Sequence, residues 1–214
     1  ASRMHISEGY LSGPVLISGA ALAAAGTAIG LKRLDYDRIA QAGILASTFF
    51  VASLVHVPIG PANAHLIMNG IIGLLLGWGA FPVMLVALVL QGLFFQFGGI
   101  TSLGVNSVIM AAPAVAMHYV CRSWIGRPGP LGTAAAFASG AGSVALSAVI
   151  MAAALLFTDE GFLSVAGAAM AVHLPVMVIE GVITAICVGF LAKVKPELLP
   201  SKATGTATKE RMEP

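Results

Sequence analysis

Charge is what this chain has least of. Asp, Glu, Lys and Arg together make up 9% of its 214 residues, against roughly 25% in a soluble domain. That is too little polar surface to cover a water-soluble globule. The net charge is only +2 and its carriers are dispersed, which argues against a nucleic-acid partner. A glycine-rich phosphate loop is missing as well, so any dependence on ATP has to come from partners. Cysteine is scarce: Cys121 and Cys187 lie in or beside apolar stretches without a spacing motif, and they read as small reduced core residues. The internal repeat common in stand-alone carriers is not found.

What the chain does have is apolar length. Hydrophobic residues make up 58%, which describes a polytopic membrane protein. At about 20 residues per helical span, there is room for six to eight spans and no separate soluble domain. The apolar runs and their breakers predict seven spans: about 12–31, 39–57, 65–80, 82–97, 104–120, 131–157 and 174–193. Pro175 is expected to divide the last apolar region, 162–192, into an approach segment and the seventh span. The first span carries Ala20, Ala24 and Ala28, a small-residue spacing that permits close helix contact in lipid. The predicted fold class is an all-α membrane protein, a bundle of seven transmembrane helices over 12–194. Segment 4–11 precedes it and a polar cytoplasmic tail, 195–214, follows, loose toward its end. Ala1-Ser2-Arg3 stands before an internal Met-His pair and reads as a cloning remnant.

Positive charge gives the sidedness. Lys32, Arg33 and Arg38 follow the first span, Arg122 and Arg127 the fifth, and Lys193, Lys195, Lys202, Lys209 and Arg211 the last. In a seven-span chain all of them fall on one side. The N-terminus is therefore expected outside and the C-terminus in the cytoplasm, in the cell's inner or plasma membrane.

The polar features then gather at the outer face. Met4-His5-Ile6-Ser7-Glu8-Gly9-Tyr10 precedes the first span and lacks the charge-then-apolar order of a signal peptide. It reads as mature chain that folds back into the bundle. His56-Val57-Pro58-Ile59-Gly60-Pro61-Ala62-Asn63-Ala64-His65 cannot continue a helix. Irregular backbone at membrane depth needs protein or a water-filled cavity around it. Neutral imidazole is the commonest nitrogen ligand for transition metals. A His in second position can offer one ion its ring, its amide and the terminal amine before it. A fourth nitrogen from His65 would complete a planar set suited to Ni(II) or Cu(II).

Four ordered blocks carry a resemblance. Met4-His5-Ile6-Ser7-Glu8-Gly9-Tyr10 resembles the N-terminus of substrate-binding membrane subunits of energy-coupling-factor nickel and cobalt transporters. Pro58-Ile59-Gly60-Pro61-Ala62-Asn63-Ala64-His65-Leu66, with Asn69-Gly70, is similar to that family's second metal loop. Gln91, with Gly98-Gly99-Ile100-Thr101-Ser102-Leu103-Gly104-Val105-Asn106, resembles its outer turn, and Pro175 with Glu180-Gly181-Val182-Ile183-Thr184 resembles its last span. The resemblance implies a seven-helix fold with the N-terminal loop plugged into the outer face. It also implies a high-affinity capture subunit working with an integral membrane coupling component and two ATP-binding-cassette ATPase subunits. The need for a small accessory membrane subunit is left open. By the same resemblance the metal ligands are Met4 (amine), His5 (amide and ring) and His65 (ring). The Pro-Ile-Gly-Pro…His loop looks more like the nickel branch than the cobalt branch, so Ni2+ is the expected substrate and Co2+ the alternative. Ala1-Ser2-Arg3 departs from the pattern: if present in the working protein it removes the Met4 amine, and His56 becomes the nearest spare imidazole.

Other polar residues have two readings. Asn63, Asn69, Gln91, Gln96 and Asn106 could hold the N-terminal segment and orient His5 or His65, or serve as glue between helices. Glu8 is expected to anchor the loop rather than to ligate. Glu180 should face the bundle interior, with His173 two helical turns earlier on the same face, as structural hydrogen-bond partners. His118 is expected to be structural. An intramembrane serine protease could use Ser139 and His173, but Phe137 stands where a glycine usually precedes such a serine. A haem carrier could use His118 and His173, without a second pair. The third alternative is a stand-alone metal permease.

Overall fold

The structure, a computed structural model, describes residues 6–59, 62–96, 98–127 and 129–200, with backbone alone for 56–59 and 62–65. In chain order the elements are α1 (Gly13–Arg33), α2 (Ile39–Ala52), β1 (His56–Ile59), β2 (Ala62–His65), α3 (Asn69–Leu76), α4 (Ala80–Phe95), α5 (Leu103–Cys121), α6 (Pro130–Leu156) and α7 (Leu163–Val194). The two strands form one antiparallel hairpin in which His56 faces His65 and Pro58 faces Asn63. The fold is therefore helical apart from that hairpin.

Among the described residues, five helical stretches are long and apolar enough to cross a membrane. The expected seven full spans are thereby corrected at two places. Helix α2 has 14 residues and ends at Ala52, not near 57. Pro58 disfavours helical backbone at the residue before it, and the hairpin begins at His56. Helix α3 has eight residues, about 12 Å at 1.5 Å per residue, which is less than half a bilayer core. The apolar stretch Asn69–Phe95 is two arms rather than one rod, because Gly77 adopts φ +54°, and there the chain turns back.

Registers between helices fix the directions of those arms. Asn69 bonds to the Met110 carbonyl, while Cβ atoms added to Gly73 and Gly77 would meet Ala114 and His118. Each step of four along α3 is a step of four along α5, so the two run parallel. Helix α4 returns: Phe81 near its start packs on Gly26 of α1, and Gln91 near its end bonds to Ser53 beyond α2. Helices α1 and α5 are also parallel, meeting at Gly19 with Val105 and at Arg33 with Tyr119.

A second correction concerns the last apolar region. Pro175 does not divide it; α7 is one helix of 32 residues with the proline inside. A proline in such a helix is tolerated when neighbouring groups re-satisfy the freed backbone. Close by, His173 Nδ1 lies 2.7 Å from the Ala169 carbonyl and donates to it. Helix α6 supports α7 from the side, with Gly181 against the Phe137 ring and Gly140 against the Glu180 backbone.

The buried core lies mainly around α3 and α4. All eight residues of α3 are buried. At its end, His118 Nδ1 donates to the Leu74 carbonyl at 3.1 Å, and Arg38 Nη2 donates to the Leu75 carbonyl at 2.5 Å. Carbonyls at a helix C-terminus have no partner within the helix, and the Arg38 guanidinium also suits the negative end of the helix dipole. His118 is thus structural, as its position suggested.

Candidate metal site

The N-terminal segment enters the bundle at one end of α5. Ile6 and Leu11 are buried with Val105, Ile109, Met151, Ala154 and Leu155, and taking these two aliphatic side chains out of water contributes about 1.5–3 kcal/mol each. Ile6 is also gripped by polar groups. Its N–H donates to Asn106 Oδ1 at 3.1 Å, and its carbonyl accepts from Asn106 Nδ2 at 3.1 Å and from Ser102 Oγ at 2.9 Å. Glu8 is exposed and lies against Gly99, where a Cβ would come within 2.7 Å of the Glu8 Cβ. Ser12 N–H donates to Thr158 Oγ1 at 3.2 Å, which ties the start of α1 to the end of α6.

The hairpin is held at both feet. Before it, Gln91 Nε2 donates to Ser53 Oγ at 2.9 Å. After it, the Glu180 carboxylate of α7 accepts the N–H groups of Ile67 and Met68, with Met68 N 3.0 Å from both oxygens. Glu180 is 0% exposed. An unpartnered carboxyl group at that depth would be costly, but here it meets two backbone donors at the positive N-terminal end of α3. Met68, which precedes α3, has no intrahelical acceptor for its N–H, and Glu180 supplies one. Asn69, the first residue of α3, donates to Ser147 Oγ at 3.1 Å and to the Met110 carbonyl at 3.5 Å.

The expected site residues fall as follows. Met4 and His5 lie outside the described residues. For His56, Asn63 and His65 the backbone is described and the side chains are not. Among the described residues no three His, Cys, Asp or Glu side chains come together as a metal-holding group. What the structure does bring together is the chain beside them. Ile6, next to His5, is held at Asn106, and Asn69, four residues after His65, is held at Met110. Those α5 residues are one turn apart, about 6 Å along the axis.

His173 and Glu180 both face inward, but the alternatives that employ His173 lose their geometry. Ser139 Oγ donates to the Gly70 carbonyl, and its neighbour Gly140 packs against Glu180. That leaves Ser139 about 10 Å along α7 from His173, too far for a nucleophile and its base. His118, at the opposite end of α3 from Glu180, cannot pair with His173 across one haem. Gln96 ends α4 in left-handed conformation. Sequence reasoning assigned no role to Ser53 or Ser102. Their signal is weak, a serine at a helix end, and their partners lie 38 and 96 residues away.

The same chain matches a known family. The family pattern described as the cobalt uptake substrate-specific transmembrane region covers residues 5–198. This chain belongs to that family. A Haemophilus influenzae protein named for metal transport is 41% identical, the match covering 92% of this chain and 97% of that one. A fused nickel transport protein of Rhodobacter capsulatus is 31% identical over 98% of this chain and 67% of its own length. A crystal structure of a truncated transition metal transporter superposes with a TM-score of 0.75 at 28% identity, covering 87% of this chain and 97% of that one. The resemblance to nickel/cobalt energy-coupling-factor substrate-binding subunits is therefore established, and with it a membrane component of metal uptake rather than an enzyme.

Proposed function

We propose that this chain is the high-affinity nickel-capture subunit of an ATP-driven uptake system. It binds the ion at the outer face through the Met4 amine, the His5 amide and ring, and the His65 ring. Residues 4–11 form the metal-binding segment, 12–194 the transmembrane domain and 195–214 a cytoplasmic tail. The observation that carries this reading is the convergence on α5: Asn106 grips Ile6 and, one turn on, the Met110 carbonyl holds Asn69. Two segments far apart in sequence, each adjoining one proposed histidine ligand, are thereby fastened to neighbouring turns of one helix. Four nitrogens from such segments suit the planar geometry of Ni(II). Octahedral or tetrahedral Co(II) gains less from them. Transport energy then comes from an integral coupling component and two ATPase subunits, docked on the cytoplasmic side where Arg33, Arg122 and Arg127 cluster with Trp78, Tyr119 and Trp124.

The test is nickel and cobalt calorimetry on the wild-type chain and His65→Ala. Tight nickel binding that His65→Ala abolishes, in protein that still purifies monodisperse, is the expected result. Unchanged nickel affinity in the variant removes His65 from the site. Tighter binding of cobalt than nickel moves the chain to the cobalt branch, which the family's description names.

A further inference from the structure

We infer that Glu180 is a positioning residue for the metal site, setting the affinity of His65 through the backbone of Ile67 and Met68. This rests on the reading of His65 as a ligand. A β-hairpin of two four-residue strands carries His65 on its last position, and so small a hairpin is marginal by itself. It borrows rigidity from its two feet. The foot before it is a neutral bond, Gln91 to Ser53. The foot after it is double: one buried carboxyl group accepts both the Ile67 and the Met68 N–H.

The distance in sequence shows why this foot governs the histidine. Ile67 is two residues beyond His65, and Ile67 is itself 0% exposed. Its side chain and its N–H are both fixed, so little freedom is left between the anchor and the ligand. The anchor is fixed in turn. Gly140 of α6 packs directly on the Glu180 backbone, where a Cβ would lie 2.5 Å from the carbonyl oxygen. Helix α3, which begins at the next residue but one, is clamped at its far end by Arg38 and His118. Outer-shell partners that orient a ligand cost about 10–100-fold in metal affinity when removed. Glu180 acts this way through the Ile67 and Met68 N–H groups.

The conservative variant is Glu180→Gln, which keeps the volume and one acceptor oxygen but turns an NH2 group toward the Met68 N–H. The experiment is a double-mutant cycle on the full transmembrane chain beginning at Met4, with Kd for nickel measured in wild type, Glu180→Gln, His65→Ala and the double variant. Expected is a 10–100-fold rise in Kd for Glu180→Gln when His65 is present, shrinking to about threefold or less in the His65→Ala background. The Ni(II) visible band should shift in Glu180→Gln and stay put when Glu180→Gln is added to His65→Ala. Equal factors in both backgrounds would mean a general structural role and overturn the proposal while leaving His65 a ligand. An unchanged Kd in His65→Ala overturns the ligand assignment, and the proposal with it. Should Glu180→Gln fail to fold, Met68 replaced by its α-hydroxy acid deletes the donor instead. The same background-dependent rise in Kd then supports the proposal, and an unchanged Kd overturns it.

Discussion

Asn106 pairs with Ile6 as one strand pairs with another. Its Oδ1 accepts the Ile6 N–H and its Nδ2 donates to the Ile6 carbonyl, both at 3.1 Å. A side-chain amide on α5 thereby satisfies both backbone groups of a residue that is buried yet belongs to no helix or sheet. A buried backbone group left without a partner costs about 1–3 kcal/mol, so Asn106 adds to the Ser102 bond and the burial of Ile6 and Leu11 in holding the N-terminal segment in the bundle.

Asn106→Ala is therefore expected to free residues 6–11 while leaving α5 helical. Amide hydrogen exchange over Ile6–Leu11 should accelerate at least tenfold, and nickel affinity should fall by a similar factor. Asn106→Asp should be no better, because it keeps an acceptor for the N–H but sets a carboxylate against the Ile6 carbonyl. Wild-type protection in Asn106→Ala would show that burial of Ile6 and Leu11 suffices without the amide.

Helix α3 offers a second test, since eight residues are too few to hold a helix by propensity alone. Its ends are closed by Glu180 at the start and by His118 and Arg38 at the finish. Arg38→Ala and His118→Ala each strip a carbonyl of its donor, at about 1–3 kcal/mol. Both should lower the thermal midpoint in detergent, and the double variant should lower it further than either. Because these residues lie at the other end of α3 from the hairpin, nickel affinity should change less than in Asn106→Ala. A melting curve unaffected by either substitution would contradict the capping role.

Much of this architecture could be read before the structure. Periodicity and breakers place α1, α4, α5 and α6 close to their expected limits, because long apolar runs in lipid have few alternatives. A break between the third and fourth spans was expected at 80–82, but its place at Gly77 and the hairpin were not legible. The sequence around Gly77 is apolar on both sides, and the turn depends on a positive φ that hydropathy does not register. Pro175 misled for a related reason: a proline that would end most helices in water is tolerated inside a membrane-spanning one, and α7 runs on through it. Of the site, the types of residue were legible and the pairings were not. Asn106 and Glu180 stand out as polar groups in apolar runs, but nothing local says that one holds Ile6, 100 residues away, and the other Ile67, 113 residues away.

Close packing on α3 gives a third prediction. A Cβ at Gly70 would lie 2.5 Å from Gly140 Cα and 2.9 Å from the Ser139 carbonyl oxygen. Those are backbone atoms, which cannot swing aside as a flexible side chain can. Gly70→Ala should push α3 off α6 and strain the Asn69–Ser147 bond, with loss of most folded protein after purification. Gly43→Ala serves as the control, because nothing lies within 4 Å of its added methyl, and in mid-helix it should be neutral or stabilising by up to about 1 kcal/mol. Equal yields and melting points for the two variants would mean that α3 and α6 separate more easily than their contact suggests.

The last prediction concerns the terminal amine. If the working chain begins at Met4, its amine (unperturbed pKa about 8), the His5 amide and the His5 ring form one chelate. The Asn106 clamp on Ile6 then fixes the residue that follows. Ni(II) binding must displace protons from the amine and from the amide, so affinity should rise with pH and fall as pH drops from about 8 toward 6. A planar low-spin complex absorbs in the visible and is diamagnetic. Extending the chain by Ala1-Ser2-Arg3 turns that amine into an amide and breaks the favoured chelate ring. The comparison is between protein starting at Met4 and the 214-residue form, by nickel titration in weakly buffered solution, proton release and visible absorption. Expected are strong binding with release of up to two protons in the first and much weaker binding in the second. Identical spectra, proton counts and affinities in the two would show that the amine is not a ligand. His56, which faces His65 across the hairpin, would then be the first candidate for the missing nitrogen.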